Sequence, residues 1–202
     1  MLLEFRDCVE RIPASRLDVN KFFDPDPDAK GKMYVGEGGF IDGAEQFDSG
    51  FFGISEAEAN EMDPRQRVAL EVSYEALADA GYSTERLLGS NVGVFVGAMN
   101  HDKLYDDPCQ LNSYSGTSNA LAILSNRVSY TYGITGTSIT IDTACSSSLV
   151  GMDLARSEMA QGDLAEALVI GINLILTADP YVQCCKARML SPQCRCKTFA
   201  ND

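Results

Sequence analysis

Basic residues are scarce in this chain, histidine is nearly absent and long apolar runs are missing. Lys and Arg number 16 against 29 Asp and Glu, a net charge of −13, with one histidine. Phosphate backbones need clustered cations, so no nucleic-acid partner is expected. No apolar stretch reaches the ~18 residues of a bilayer-crossing helix, so no membrane span is expected. The opening Met1-Leu2-Leu3-Glu4-Phe5-Arg6-Asp7 has neither the apolar core nor the cleavage-like site of a signal peptide. The 7 cysteines, odd in number and unevenly placed, do not form a disulfide framework and favour a reducing compartment such as the cytoplasm. Cys184, Cys185, Cys194 and Cys196 lack the Cys-x-x-Cys spacing of a zinc knuckle, so no metal is assigned. The acidic run Asp24-Pro25-Asp26-Pro27-Asp28 lacks the glycine and terminal glutamate of a calcium loop and reads as a solvated turn. No repeat, low-complexity tract or domain linker interrupts the 202 residues, a length that suits one domain.

The pattern that remains is α/β. Residues 1–50 are rich in loop formers. Asp63-Pro64 is a strong helix start and Gly81 a strong stop. Between them Ala69, Leu70, Leu77 and Ala80 make an apolar face, which Val72 and Ala76 widen. Val92 to Val96 and Ala167 to Ile172 are near-continuous apolar runs, as expected of strands covered on both faces. Alternation of such strands with helices favours a mainly parallel sheet.

Cys145 stands out by position. The preceding Ser138-Ile139-Thr140-Ile141-Asp142-Thr143-Ala144 has the alternation of a strand. Ser146-Ser147-Ser148 then leads into Leu149, Val150, Met152, Leu154, Ala155, Met159 and Ala160, a helical apolar pattern that stops at Gly162. Serines suit a helix start and glycine its end. The thiol is therefore expected at a strand-to-helix turn, where free N–H groups and the macrodipole favour a thiolate. Such a thiolate is a nucleophile for acyl chemistry, and neighbouring N–H groups can receive the oxyanion formed on attack. A small cysteine buried beneath a sheet fits the same local pattern. A serine hydrolase is disfavoured, because Gly116-Thr117-Ser118-Asn119-Ala120 lacks the last glycine of a nucleophile elbow.

The words around Cys145 decide between these readings. Ile141-Asp142-Thr143-Ala144-Cys145-Ser146-Ser147-Ser148-Leu149 resembles the active-site signature of β-ketoacyl synthases of the multidomain type, found in modular polyketide synthases and multifunctional fatty acid synthases. Phe47-Asp48-Ser49-Gly50-Phe51-Phe52-Gly53-Ile54-Ser55, Met62-Asp63-Pro64-Arg65-Gln66-Arg67, Gly93-Val94-Phe95-Val96-Gly97, Asn126-Arg127-Val128-Ser129-Tyr130 and Met189-Leu190-Ser191-Pro192 follow the same family's order.

The resemblance implies a thiolase-like fold whose halves are each a mixed five-stranded sheet sandwiched by helices. Residues 1–202 then form a partial ketosynthase domain, most of the N-terminal half, without the first strand and the whole C-terminal half. The family's two catalytic histidines fall in that other half. His101 matches a non-catalytic position and is expected to order a loop or face solvent.

The implied reaction moves an acyl chain from the phosphopantetheine of an acyl carrier protein to Cys145, whose backbone N–H joins the oxyanion hole. A malonyl-type extender then loses carbon dioxide and attacks the thioester. No cofactor is bound directly. The implied partners are the carrier protein, adjoining synthase domains and a second copy, paired through the strand near Thr137 to Asp142. Carrier proteins are generally acidic, so a half-domain with this charge should repel them. Thr143 and Met99 are candidate substrate-lining residues from their closeness to strand ends, although each is also readable as core. The helix after Cys145 is apolar nearly all round and is expected to be buried on most sides. Cys145 itself argues against a loading domain, which usually carries glutamine there. A non-elongating acyl-transfer ketosynthase, or an inactive dimerisation or carrier-binding module, stays open.

Overall fold

The computed structural model describes residues 6–99, 109 and 111–198, so His101 lies outside the described residues. In chain order, β1 (Val9–Arg11), α1 (Val19–Phe22) and β2 (Glu37–Gly39) are followed by α2 (Glu56–Glu61), α3 (Pro64–Asp79), α4 (Thr84–Leu87) and β3 (Val92–Gly97). Then come α5 (Ser115–Asn119), α6 (Ala122–Tyr132), β4 (Ser138–Ile141), α7 (Ser147–Gln161), β5 (Glu166–Gly171) and α8 (Asp179–Lys186).

These elements divide into two compact units where one domain is expected from the sequence: residues 43–173 form one, and residues 1–42 with 174–202 form the other. No linker marks the division because the second unit is made by distant segments meeting. The Tyr34 hydroxyl donates to the Leu190 carbonyl at 2.8 Å, and Arg195 reaches Asp7 and Glu37, each at 2.7 Å. Ile12, Val19, Met33, Val35 and Cys185 form its core. In the acidic run, the carboxylates of Asp24 and Asp26 each accept the backbone N–H two residues on, at 2.9 Å, which makes the run a chain of turns.

In the larger unit the sheet order is β4-β3-β5, with both pairings parallel. Among the described residues, the five-stranded mixed sheet implied by resemblance is represented by three parallel strands, while β1 and β2 pair antiparallel with each other. β3 is central and every residue of it is buried, as its unbroken apolar run requires. β5 is less covered than its composition suggests. Only Ile170 is buried, because β5 borders the sheet.

α3 begins and ends where the sequence places it, with Asp63 capping the Arg65 N–H and Gly81 at φ 78° just past the end. Its buried face differs. Val68, Ala69, Leu70 and Leu77 are buried, together with Arg65, Gln66 and Ser73, whereas Val72, Ala76 and Ala80 are exposed. Polar groups occupy that face because each is satisfied there: the Ser73 hydroxyl, for example, donates to the Leu70 carbonyl at 2.8 Å. α7 lays Gly151 and Ala155 toward the sheet and leaves Leu149, Met152, Leu154 and Met159 exposed, so the expected all-round burial is not present among the described residues. No described helix is long and apolar enough to cross a membrane.

Candidate active site

The turn between β4 and α7 reverses the chain within a few residues, and its backbone shows how. Ala144 lies at φ 56°, a left-handed conformation that costs a residue with a Cβ roughly 1–2 kcal/mol. Cys145 follows it and is exposed, which removes the reading of a cysteine buried beneath the sheet.

The serines do not cap α7 as their composition suggests: Ser146 is the N-cap residue, but its side chain accepts no N–H from the helix. They fasten the turn instead. The buried Ser147 hydroxyl accepts the Thr143 N–H at 2.9 Å and donates to the Ala144 carbonyl at 2.6 Å, bracketing the strained residue. Ser146 donates to the Thr143 carbonyl at 2.9 Å, and its oxygen lies 2.9 Å from the Thr143 hydroxyl. Asp142 adds a carboxylate that accepts the Ala144 N–H at 3.0 Å. Together these bonds hold a conformation that local propensity disfavours.

Glycines bring the helix close. A Cβ on Gly97, the last residue of β3, would fall on the backbone of Ser147 and Ser148, and one on Gly171 would meet the Ser148 Cβ at 2.9 Å. Only bare backbone at both strand ends lets the first turn of α7 sit there. That turn carries no acidic side chain, so the positive end of the helix dipole is not neutralised within it.

Beside the turn lies a cleft of about 410 Å³, lined by residues that follow β3 (Ala98, Met99) and β5 (Ile172, Asn173), by Gly97 and Gly171, and by Ala144, Cys145, Ser147 and Ser148. It opens at the carboxyl ends of parallel strands, where α/β sheets commonly take their ligands. Of the three residues singled out from sequence, Cys145 and Met99 share this cleft. Thr143 does not line it. Thr143 is exposed, and its N–H and hydroxyl are both engaged in fastening the turn.

Across residues 1–202 the chain matches the family described as Beta-ketoacyl synthase, N-terminal domain. The chain belongs to the β-ketoacyl synthases.

Among curated relatives it is 42% identical over 199 residues to the pikromycin polyketide synthase component PikAII of Streptomyces venezuelae, covering 96% of this chain and 5% of that protein. It is 41% identical over 203 residues to the polyketide synthase PksL of Bacillus subtilis strain 168, covering 99% of this chain and 4% of that protein. Among solved structures, the oxazolomycin ketosynthase domain OzmH KS7 of Streptomyces albus JA3453 superposes with a TM-score of 0.89 at 40% identity, covering 97% of this chain and 35% of that one. This β-ketoacyl synthase chain thus spans about a third of a solved ketosynthase and a small part of each polyketide synthase. Its fold is the α/β, thiolase-like fold of those neighbours.

Several parts of the ketosynthase cleft go unnoticed in the sequence. Ser147 is visible there only as one of three serines, and its double bond across the turn depends on the left-handed Ala144, which nothing local signals. Gly97 does carry a signal, a glycine closing an otherwise apolar strand. Among the other cysteines, Cys8, Cys109 and Cys196 are also exposed, whereas Cys185 is fully buried and burial pushes its thiol pKa up, which suits it to packing. Among the described residues no group of His, Cys, Asp and Glu is arranged to hold a metal ion.

Proposed function

We propose that Cys145 accepts an acyl chain as a thioester and that the domain carrying it extends the chain by decarboxylative condensation. The exposed thiol at the head of α7, held over a cleft between two strand ends by a bracketed left-handed residue, carries this reading. The Cys145 thiolate attacks the carbonyl of an acyl group carried on phosphopantetheine. The oxyanion forms beside N–H groups of the turn, that of Cys145 included, and its collapse expels the phosphopantetheine thiolate. A malonyl-type thioester then loses carbon dioxide. Its carbanion attacks the Cys145 thioester and expels the Cys145 thiolate, leaving a β-ketoacyl chain on the carrier.

Relatives named as polyketide synthases support a polyketide setting, with an acyl carrier protein and adjoining synthase domains as partners. Residues 1–202 would supply most of the N-terminal half of a ketosynthase domain. The apolar side of α7, with Leu149 and Met152 exposed, fits a helix that further protein covers. β4, an edge of the sheet with Ser138, Ile139 and Thr140 uncharged, would pair with a second copy.

The test is intact-mass analysis of the full-length protein with an acyl thioester, followed by malonyl-loaded carrier protein. The expected result is an acyl adduct on the peptide holding Cys145 that disappears as a β-ketoacyl carrier forms. An adduct on another cysteine overturns the reading. An adduct on Cys145 that malonyl carrier never discharges restricts it to acyl transfer.

A further inference from the structure

Two charged side chains are buried at the start of α3. Asp63 and Arg65 are each 3% exposed and satisfy one another: Arg65 Nε donates to both Asp63 oxygens at 3.2 and 3.1 Å, and Nη2 donates to Oδ2 at 2.6 Å. Asp63 Oδ1 also accepts the Arg65 backbone N–H at 2.8 Å. A buried ion pair stabilises a fold little more than apolar residues of like size would, so stability alone accounts poorly for its presence. The other terminal nitrogen points to a use. Arg65 Nη1 donates to the Met99 carbonyl at 3.1 Å, and Met99 lines the cleft that holds Cys145.

The helix turn that carries the guanidinium is itself fixed. The Asp63 N–H donates to the Ser118 carbonyl at 3.1 Å. Gln66 Nε2 donates to the carbonyls of Thr117 and Ser118 at 2.9 and 3.0 Å, and Gln66 Oε1 accepts from Arg127 Nε at 2.8 Å. Arg65 therefore reaches Met99 from an anchored base, with its planar fork oriented by a carboxylate two residues away. A lysine could still pair with Asp63, but it presents a point charge and not a fork that holds two partners at once.

We propose that Arg65 is a positioning residue for the acyl-accepting cleft. It acts through the Met99 backbone to set the wall of the cleft that follows β3, and Asp63 orients it for that purpose. The inference rests on Cys145 as the acyl acceptor. It concerns the seating of the acyl thioester, because the turn that presents the thiol is fastened by its own serines and does not depend on Arg65.

The experiment compares Arg65→Lys, and separately the double variant Asp63→Asn with Arg65→Gln, against the unsubstituted full-length protein. The double variant leaves neither charge unpaired if the single one fails to fold. Three quantities are read: thermal melting, the rate of Cys145 alkylation by iodoacetamide, and the KM and rate of Cys145 acylation by an acyl N-acetylcysteamine thioester. Displacement of a wall by even 1 Å can lower a rate about a hundredfold, so acylation is expected to fall at least ~10-fold, with KM raised. Alkylation by the small reagent should stay within about twofold, because its approach needs no shaped wall. Equal falls in acylation and alkylation, tracking the melt, overturn the proposal in favour of a purely structural ion pair. Unchanged acylation in either folded variant overturns it outright. An unsubstituted protein that is alkylated at Cys145 but takes no acyl group overturns the underlying reading of Cys145 and this inference with it.

Discussion

Cys145 and Cys185 are the same side chain in opposite settings. Cys185 sits on α8 among Ile12, Val19, Met33 and Val35, fully buried. Burial raises its thiol pKa, and hydrogen bonds from the Tyr34 and Val35 backbone offset only part of that. Cys145 is exposed on a strained turn, above a cleft and at the head of a 15-residue helix whose first turn has no acid. In one place the surroundings fill space around sulfur; in the other they leave it exposed beside a cleft. The reactivity proposed for Cys145 therefore rests on the backbone that presents the thiol more than on the thiol itself.

Crossed substitutions give the largest expected effect. Cys145→Ala should abolish acyl loading and leave the melting midpoint nearly unchanged, because an exposed side chain contributes within about 0.5 kcal/mol. Cys185→Ala should do the reverse, leaving loading intact while costing roughly 1–2 kcal/mol through lost packing. Cys8→Ala, at an exposed position, should change neither. Acyl loading followed by mass spectrometry, with melting by calorimetry, checks all three. Loading lost with Cys185→Ala in a folded protein would erase the contrast.

The strand end beneath the cysteine comes next. Gly97→Ala puts a Cβ onto the backbone of Ser147 and Ser148, and backbone cannot move aside as a flexible side chain can. Overpacking of this kind typically costs about 1–3 kcal/mol. Here it should also push the first turn of α7 off the strand ends and slow Cys145 acylation by at least ~10-fold. A variant of unchanged stability and loading rate would show that the close approach is not needed.

Much of this region is readable in the sequence, and the unread part has a common physical cause. β3 and α7 announce themselves through short-range pattern: an unbroken apolar run, and a helical apolar repeat ended by Gly162, which adopts φ 84°. The family resemblance is carried by residues close together in the chain. Two kinds of feature escape. One is pairing between distant segments, such as Tyr34 with Leu190, which assembles the second unit and has no local trace. The other is exposure. The run Ala167 to Ile172 suggests a strand covered on both faces, yet β5 is half-exposed because composition cannot say which strand lies at an edge. Thr143 lies outside the lining of the cleft for a related reason: closeness to a strand end cannot foresee the reversal at Ala144.

Ser147 sharpens the comparison at a smaller scale. Ser147→Ala removes the group that accepts the Thr143 N–H and donates to the Ala144 carbonyl, leaving both without that partner beside a strained residue. The expected cost is about 1–3 kcal/mol, with slower acylation at Cys145 and no change at Cys185. Ser147→Thr retains the hydroxyl and should recover part of the rate. Equal effects of the two substitutions would mean that volume, and not the hydrogen bonds, holds the turn.

The smallest effect tests whether electrostatics away from the turn can be altered without touching it. On α3, burial first and the neighbouring Glu75 second raise the pKa of Glu71, and Arg67 opposes them only in part. A carboxyl whose folded pKa lies above its unfolded value binds its proton more tightly in the folded state. Its contribution is then fully present below the unfolded pKa and is lost as pH rises through the folded one. At neutral pH the ionised Glu71 is therefore a mild burden, shared with Glu75 one helical turn away. Glu71→Gln should stabilise the protein at pH 7 by no more than about 0.5 kcal/mol, in keeping with like-charge pairs at this spacing on a solvated helix. The gain should shrink toward zero as pH falls through the carboxylate range, where the wild-type side chain is already neutral. Denaturant melts of both proteins across that range read the difference directly, with acyl loading at pH 7 unchanged as the control. A gain that grows on acidification would reverse the sign of the shift and place Glu71 among the carboxylates that favour the folded state when ionised.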